Sequence, residues 1–177
     1  RNHSSAASDV YKRQALAALL VPSWGMYCGL EFCENEQHPD REEYKNNEKY
    51  ELKDRDWNAK GNIKEFIKRL NQIRNTNRAF REYSNIRFFD IDNDQLLAFA
   101  KRSSDGRNAV LVIVNLDPHH EQSGHANPPV DFLDLERVDE FRLRDLMFDD
   151  DYTWQRHGNW VSLNPLSKPV HVLQVLG

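Results

Sequence analysis

Glycine is scarce, with 7 in 177 residues, and none is clustered as a phosphate-cradling P-loop or a dinucleotide turn requires. Cysteine is scarcer: Cys28 and Cys33 lie five positions apart, with neither a CxxC pair nor a second pair of ligands. That spacing excludes a disulfide framework and a zinc ribbon, and two free thiols fit a reducing compartment. Long apolar runs are missing too. The longest, Ala15 to Val21, is far too short to span a bilayer, and no basic segment leads into a signal-peptide core. Nor does one charge dominate. A net charge of −4 gives no electrostatic reason for binding nucleic acid or an anionic membrane. With 29% charged and 39% hydrophobic residues, the chain reads as globular, with the cytoplasm as its expected compartment.

Residues 1–14 stand apart, being polar, rich in Ser and Ala, and without apolar period. The chain opens on Arg1, and the string Ser4 to Gln14 resembles translated adapter read-through. The expectation is a non-native or disordered tail outside the fold. Ala15 to Val21 then reads as the last turns of a helix closed by Pro22.

Pro22 to Glu34, Pro-Ser-Trp-Gly-Met-Tyr-Cys-Gly-Leu-Glu-Phe-Cys-Glu, is apolar and aromatic, interrupted by Gly25 and Gly29 and ended by acids. It reads as a buried strand feeding an irregular loop, in the manner of an α/β barrel strand delivering residues to the active-site face. The loop, Glu34 to about Gly61, is densely charged yet carries Tyr44, Tyr50 and Trp57. A loop so long is uncommon unless functional or disordered, and its interleaved aromatics speak against disorder. Flat rings that stack on sugar faces beside charged groups that bond hydroxyls suit a carbohydrate site. Next, Ile63, Phe66, Ile67, Leu70 and Ile73 form one helical stripe, with Asn62 and Glu65 placed as a capping box.

After Phe80 the period becomes strand-like. Short β runs cover Ile86–Ile91, Leu96–Lys101, Ala109–Leu116, Phe132-Leu133, Phe141–Phe148, Tyr152–Gln155, Trp160–Leu163 and Val170–Leu176. Asp92-Asn93-Asp94 and Ser103-Ser104-Asp105-Gly106 are turn sequences at the short range of an antiparallel meander. Pro118 to Pro129 reads as a loop. The expected fold is therefore the last strand and helix of a TIM-type α/β barrel (15–80) followed by an all-β antiparallel sandwich (81–177), with a boundary near Asn77 to Ser84.

Several strings together resemble one family: Pro22 to Glu31, then Asn46-Asn47-Glu48-Lys49-Tyr50-Glu51-Leu52-Lys53 with Arg55-Asp56-Trp57, then Val114 to His120. The sequence is similar in these to the α-1,4-glucan:maltose-1-phosphate maltosyltransferases of the α-amylase superfamily, glycoside hydrolase family 13, in the right order from Ala15 to Gly177. That resemblance implies a C-terminal fragment of a retaining transferase. Such an enzyme moves maltosyl units from α-maltose 1-phosphate to the non-reducing end of α-1,4-glucans. Retention requires two carboxyl groups about 5–5.5 Å apart, and the resemblance places them upstream of Ala15. No catalytic residue is therefore assigned here, neither Glu31 nor Glu34 matches one, and the fragment alone is expected to be inactive. The family's Glu-Lys-Tyr motif matches Glu48-Lys49-Tyr50, which makes Lys49 and Tyr50 substrate-binding residues for the donor's distal glucose. The resemblance further implies no metal, no organic cofactor and a homodimeric parent.

Two other readings compete: another superfamily enzyme, such as an amylase or a trehalose synthase, and a non-catalytic carbohydrate-binding β module. The module has no use for the β/α unit that precedes the sandwich. His119-His120 beside Asp117 reads as a turn rather than a metal pair, and Asp149 to Asp151 as a solvated turn lacking EF-hand spacing. Trp24 and Tyr27 read as packing, and Trp57 as either packing or platform. Trp154 and Trp160 could form a glucan-binding patch, although cross-strand packing is the commoner use of such residues.

Overall fold

The computed structural model describes residues 3–34, 39–40 and 54–176. Its centre is a six-stranded sheet in the order β1-β2-β3-β8-β5-β6, and a two-stranded ribbon of β4 and β7 stands beside it. The strands are β1 (Ile86–Phe88), β2 (Leu96–Arg102), β3 (Ala109–Asn115), β4 (Gln122–Ala126), β5 (Glu140–Asp145), β6 (Asp151–Gln155), β7 (Asn159–Leu163) and β8 (Val170–Leu176). Every pairing is antiparallel. The meander expected from the two turn sequences is the β1-β2-β3 edge of the large sheet.

Alternation along the strands divides the core in two. On one face, Leu96, Ala98 and Ala100 of β2 and Ala109, Leu111 and Ile113 of β3 pack with Ala126, Val161 and Leu163 of the ribbon. On the other, Phe99, Val110, Val112 and Val114 pack with Ala15, Ala18 and Leu19 of helix α1 (His3–Leu20) and Leu70 and Ile73 of helix α2 (Lys64–Thr76). Helices, sheet and ribbon thus make three layers, and β3 is buried along its whole length. One apolar cluster runs unbroken from the helices into the strands on either side of Asn77 to Ser84.

Helix α2 forms where its stripe predicts. Ile67, Leu70 and Ile73 are buried, and the Asn62 Oδ1 accepts the Lys64 N–H at 3.2 Å. Glu65 does not complete the box and instead meets Lys68 at 3.4 Å. The end of α1 is fastened by two buried cations. Arg74 of α2 donates to the carbonyls of Ala18, Val21 and Pro22, and Lys101 of β2 donates to that of Leu20 at 3.2 Å. A helix C-terminus leaves carbonyls without intrahelical partners and carries partial negative charge, so cations suit it.

Four expectations need correction. The stretch from Pro22 to Glu34 forms no strand; it is irregular up to a turn of 3-10 helix at Leu30–Phe32. A strand exists only through its ladder to a neighbour, and none of the described residues supplies one. Residues 1–14, expected to be unstructured, are helical from His3 onward as the first part of α1. Ser8 there donates to the Pro118 carbonyl at 2.6 Å, and Lys12 donates to the Leu116 carbonyl at 2.7 Å. Phe132-Leu133 lies in a short helix, α3 (Val130–Leu133), begun by Pro129, whose carbonyl accepts the Leu133 N–H at 3.1 Å. Strand β4 lies within the stretch expected to be a loop. Gln-Ser-Gly-His-Ala carries no β-branched residue, and its extended form comes from pairing with β7.

Candidate functional site

The residues flanking the long charged loop lie side by side. Glu31, buried, takes the Gly29 N–H on its Oε2 at 3.0 Å, while its own carbonyl accepts the Ile63 N–H at 2.8 Å. The segment before the loop is thereby tied to the start of α2. Arg55, beyond the loop, donates from Nε to Glu34 Oε1 at 3.1 Å and from Nη2 to Glu34 Oε2 at 3.2 Å. This is a two-pronged pairing, the strong geometry for guanidinium and carboxylate. A third nitrogen, Nη1, lies 3.5 Å from the Cys28 sulfur.

Gly29 makes the close approach possible. Its φ of +102° favours glycine, and a Cβ there would stand 2.5 Å from Glu34 Oε2 and 2.9 Å from Arg55 Nη2. Phe32 and Trp57 meet edge to face at 5.1 Å between centroids, and Lys64 lies over the Trp57 ring at 5.9 Å while donating to the Trp57 carbonyl. Burial raises the Cys33 thiol's pKa. Chemically this neck is a support. Its carboxylates are engaged with a guanidinium and a backbone amide, in the manner of groups that hold a loop at its base.

Glu48, Lys49 and Tyr50 belong to the loop and lie outside the described residues. The other residues singled out in the sequence separate clearly. Trp24 packs against the helix-side core, whereas Tyr27 is exposed. Trp154 is buried and Trp160 is 61% exposed, so the two tryptophans do not form one patch. Asp117 accepts the His119 and His120 amides at 2.8 and 3.2 Å, which sets its carboxyl well below the usual carboxylate range, and the histidine pair is indeed a turn. Asp149, Asp150 and Asp151 are paired with Arg69, Lys168 and Arg144. Among the described residues no group of three or more His, Cys, Asp or Glu could hold a metal ion. A separate cleft of about 260 Å³, between Tyr11, Phe66, Arg69, Phe148, Leu166 and Pro169, lies where α1 and α2 meet the sheet's loops.

The clasp of Arg55 and Glu34 was not foreseen from sequence. Arg55-Asp56-Trp57 was conspicuous only as a string, and nothing in its spacing from Glu34 points to a contact across the intervening loop.

Comparison with known proteins gives the arrangement its context. Residues 88–175 match the family described as "GLGE, C-terminal". The α-1,4-glucan:maltose-1-phosphate maltosyltransferase of Rhodospirillum rubrum is 38% identical over 164 residues, covering 93% of this chain and 24% of that protein. Its counterpart in Myxococcus xanthus is 40% identical over 153 residues, covering 86% of this chain and 23% of that protein. The chain thus spans about a quarter of the length of the curated relatives it matches. Among solved structures, the α-amylase of Geobacillus thermoleovorans superposes with a TM-score of 0.66 at 15% identity, over 97% of this chain and 34% of that one. A maltogenic α-amylase of Thermotoga neapolitana gives 0.67 at 14% identity, over 96% and 37%. These structural similarities speak for the fold alone: a sheet-rich antiparallel domain like the C-terminal domains of α-amylases. The sequence matches of 35–40% identity, which run through both the helices and the strands, and the match of residues 88–175 to the "GLGE, C-terminal" family make this chain similar to the C-terminal part of the α-1,4-glucan:maltose-1-phosphate maltosyltransferases.

Proposed function

We propose that this chain is the C-terminal part of a retaining glycosyltransferase that moves maltosyl units from α-maltose 1-phosphate to the non-reducing end of α-1,4-glucans. The observation that carries the reading is the 38% identity to the Rhodospirillum rubrum maltosyltransferase along 93% of the chain, through the neck and its loop as well as the strands. In this reading residues 15–80 close a catalytic barrel and residues 81–177 form its C-terminal β domain. The superposition of 97% of the chain on an α-amylase supports including the helices. The catalytic carboxylates belong to other parts of the parent. Residues 22–34 take up their barrel strand only beside those parts, which supply the missing neighbour.

The role of this chain is then to hold the donor. Lys49 donates to hydroxyls of the distal glucose, and Tyr50 adds a hydroxyl contact and an apolar face. Arg55, Glu34 and Gly29 fix the base from which that loop springs. Positioning of this kind lowers a barrier without touching the reacting atoms. In this reading phosphate leaves with the broken bond, and the parent uses neither a metal nor an organic cofactor, works in the cytoplasm and is a homodimer.

The test is direct. The full-length protein incubated with maltose 1-phosphate and glycogen should release inorganic phosphate as the glucan grows. Release of reducing sugar without phosphate would instead make it an amylase-type hydrolase, and no turnover of the phosphate donor would end the transferase reading.

A further inference from the structure

The ribbon's outer face carries a feature that neck and loop do not use. His125 of β4 and Trp160 of β7 are cross-strand partners, their rings edge to face at 5.0 Å between centroids. Trp160 is 61% exposed, whereas its neighbours Asn159 and Val161 are buried. A tryptophan at that exposure leaves a broad apolar surface in water, on a small ribbon that could have used a polar residue there. The indole N–H has no partner among the described residues.

The surroundings are built rather than incidental. Asp92, from the turn after β1, reaches across and takes both the His125 amide and its ring Nδ1, the latter at 2.9 Å. That bond fixes the imidazole beside the indole and leaves Nε2 on its outer edge. The His125 amide is the main reason the Asp92 carboxyl sits below its ordinary range, so it is an acceptor at neutral pH. Gly124 lets the turn come this close: a Cβ there would lie 2.6 Å from Asp92 Oδ1. Two positions along the same face, Ser123 and Ser162 pair across the ribbon, and Ser162 donates to Glu121 at 2.6 Å. The result is an indole face flanked by an imidazole, two hydroxyls and two carboxylates.

From this arrangement we infer that the outer face of the β4–β7 ribbon is a secondary glucan-binding platform, on which Trp160 stacks against a pyranose ring while His125, Asp92 and the Ser123–Ser162 pair bond its hydroxyls. Charge decides the class of occupant. The fixed charges beside the indole, Asp92 and Glu121, are acidic, which repels nucleic acid or a phosphorylated ligand and suits a neutral polyol whose hydroxyls donate to carboxylates. Position matters as well. The ribbon covers the sheet face opposite to the one on which α1 and α2 pack, so a chain bound here lies on the far side of the sheet from those helices. The platform would retain a long glucan without occupying the donor site. The choice of glucan rests on the proposed transferase reading; the presence of a sugar-type platform rests on the geometry alone.

The experiment uses the intact 177-residue chain in native gels with and without glycogen, alongside tryptophan fluorescence titrated with maltoheptaose. Wild type should be retarded by glycogen and its fluorescence quenched. Trp160→Ala should lose the retardation and bind maltoheptaose about tenfold more weakly or worse, and Trp160→Phe should recover part of both. Tyr83→Ala, at an exposed ring outside the ribbon, should leave both unchanged. Because residue 160 is exposed, all variants should keep the wild-type circular dichroism. Wild-type mobility that ignores glycogen, or retardation that survives Trp160→Ala, overturns the platform. So does a change in sedimentation on Trp160→Ala without any effect of glucan, which would make this face a contact between copies. Phosphate release by the full-length protein is scored separately. If release occurs and retardation is indifferent to Trp160, the platform alone falls. If release fails while Trp160-dependent retardation persists, the transferase reading falls and the platform stands.

Discussion

Arg55 grips Glu34 with two nitrogens, at 3.1 and 3.2 Å, across the base of the loop that carries Lys49 and Tyr50. The Arg55 side chain is 8% exposed and that of Glu34 is 37%, so one partner is held in the protein and the other faces water. A pair this open adds little to folding, on the order of 1 kcal/mol or less. Its effect is geometric: it fixes the separation of the loop's two ends. In the full-length protein, Arg55→Ala should lower kcat/KM for maltose 1-phosphate about 10- to 100-fold, mostly through KM, while the melting temperature moves little. Steady-state kinetics with phosphate detection checks this, and an unchanged KM would show that the clasp does not reach the donor.

Lys49→Ala should give the same kinetic direction without touching the clasp. Its expected loss is in donor use alone, with the melting curve superposable on wild type. If kcat/KM for the donor stays constant, Lys49 is not a donor contact.

Gly29 is where the clasp can be broken from beneath. With φ at +102° and only 2.5 Å from a would-be Cβ to Glu34 Oε2, alanine meets both backbone strain and a clash. The strain alone is about 1–2 kcal/mol. Gly29→Ala should therefore lower stability in urea denaturation and also impair donor use, and the second effect should exceed that of any exposed glycine. Gly25, with nothing within 4 Å of its Cβ position, is the control, and Gly25→Ala should be nearly neutral.

What the sequence made legible was whatever a local period controls. The α2 stripe and seven of the eight strands could be read because each writes its pattern in adjacent residues, as a helical stripe, an alternation or, in β3, a short run apolar throughout. The ribbon strand β4 could not, since Gln122 to Ala126 becomes extended only against β7. The apolar run at Pro22–Glu34 misled for the opposite reason: strand-like composition cannot make a strand without a neighbour. At the neck, the resemblance directed attention to Lys49 and Tyr50, but the Arg55–Glu34 contact spans a whole loop, and no local pattern announces it. Trp154 and Trp160 looked equivalent in sequence, and only the register of their strands puts one inside and one outside.

Lys101 gives the fold a pH dependence. Burial, and secondarily the Arg74 charge, lower its pKa from 10.5 to about 8. The folded state therefore releases this proton at lower pH than the unfolded state does. Between pH 8 and 10.5 the unfolded chain holds more protons at this site, so its contribution to stability rises with pH across that window. Below pH 8 both states are protonated and the contribution is level at its least favourable value. Lys101→Met should flatten the rise and raise stability near pH 7, as measured by urea midpoints at pH 7, 8, 9 and 10. A wild-type midpoint that falls steadily from pH 8 to 9, with the mutant falling in parallel, would contradict the assignment.

The opening helix supplies the last test. Tyr11 meets Phe66 of α2 edge to face at 4.8 Å, and burial raises its phenol's pKa, with the nearby Cys33 adding to the effect. Ser8 and Lys12 bond the carbonyls of Pro118 and Leu116 beyond the end of β3. If residues 1–14 are an integral part of the fold, removing them strips a ring from Phe66 and two donors from a loop. Tyr11→Ala should then cost about 1–2 kcal/mol, and deletion of 1–14 should cost more and expose Phe66 to solvent. Thermal melts of the three proteins measure this directly. Should the deletion melt at the wild-type temperature, the helix seen from His3 to Gln14 contributes nothing to the fold, and the sequence-based expectation that this stretch lies outside it would stand after all.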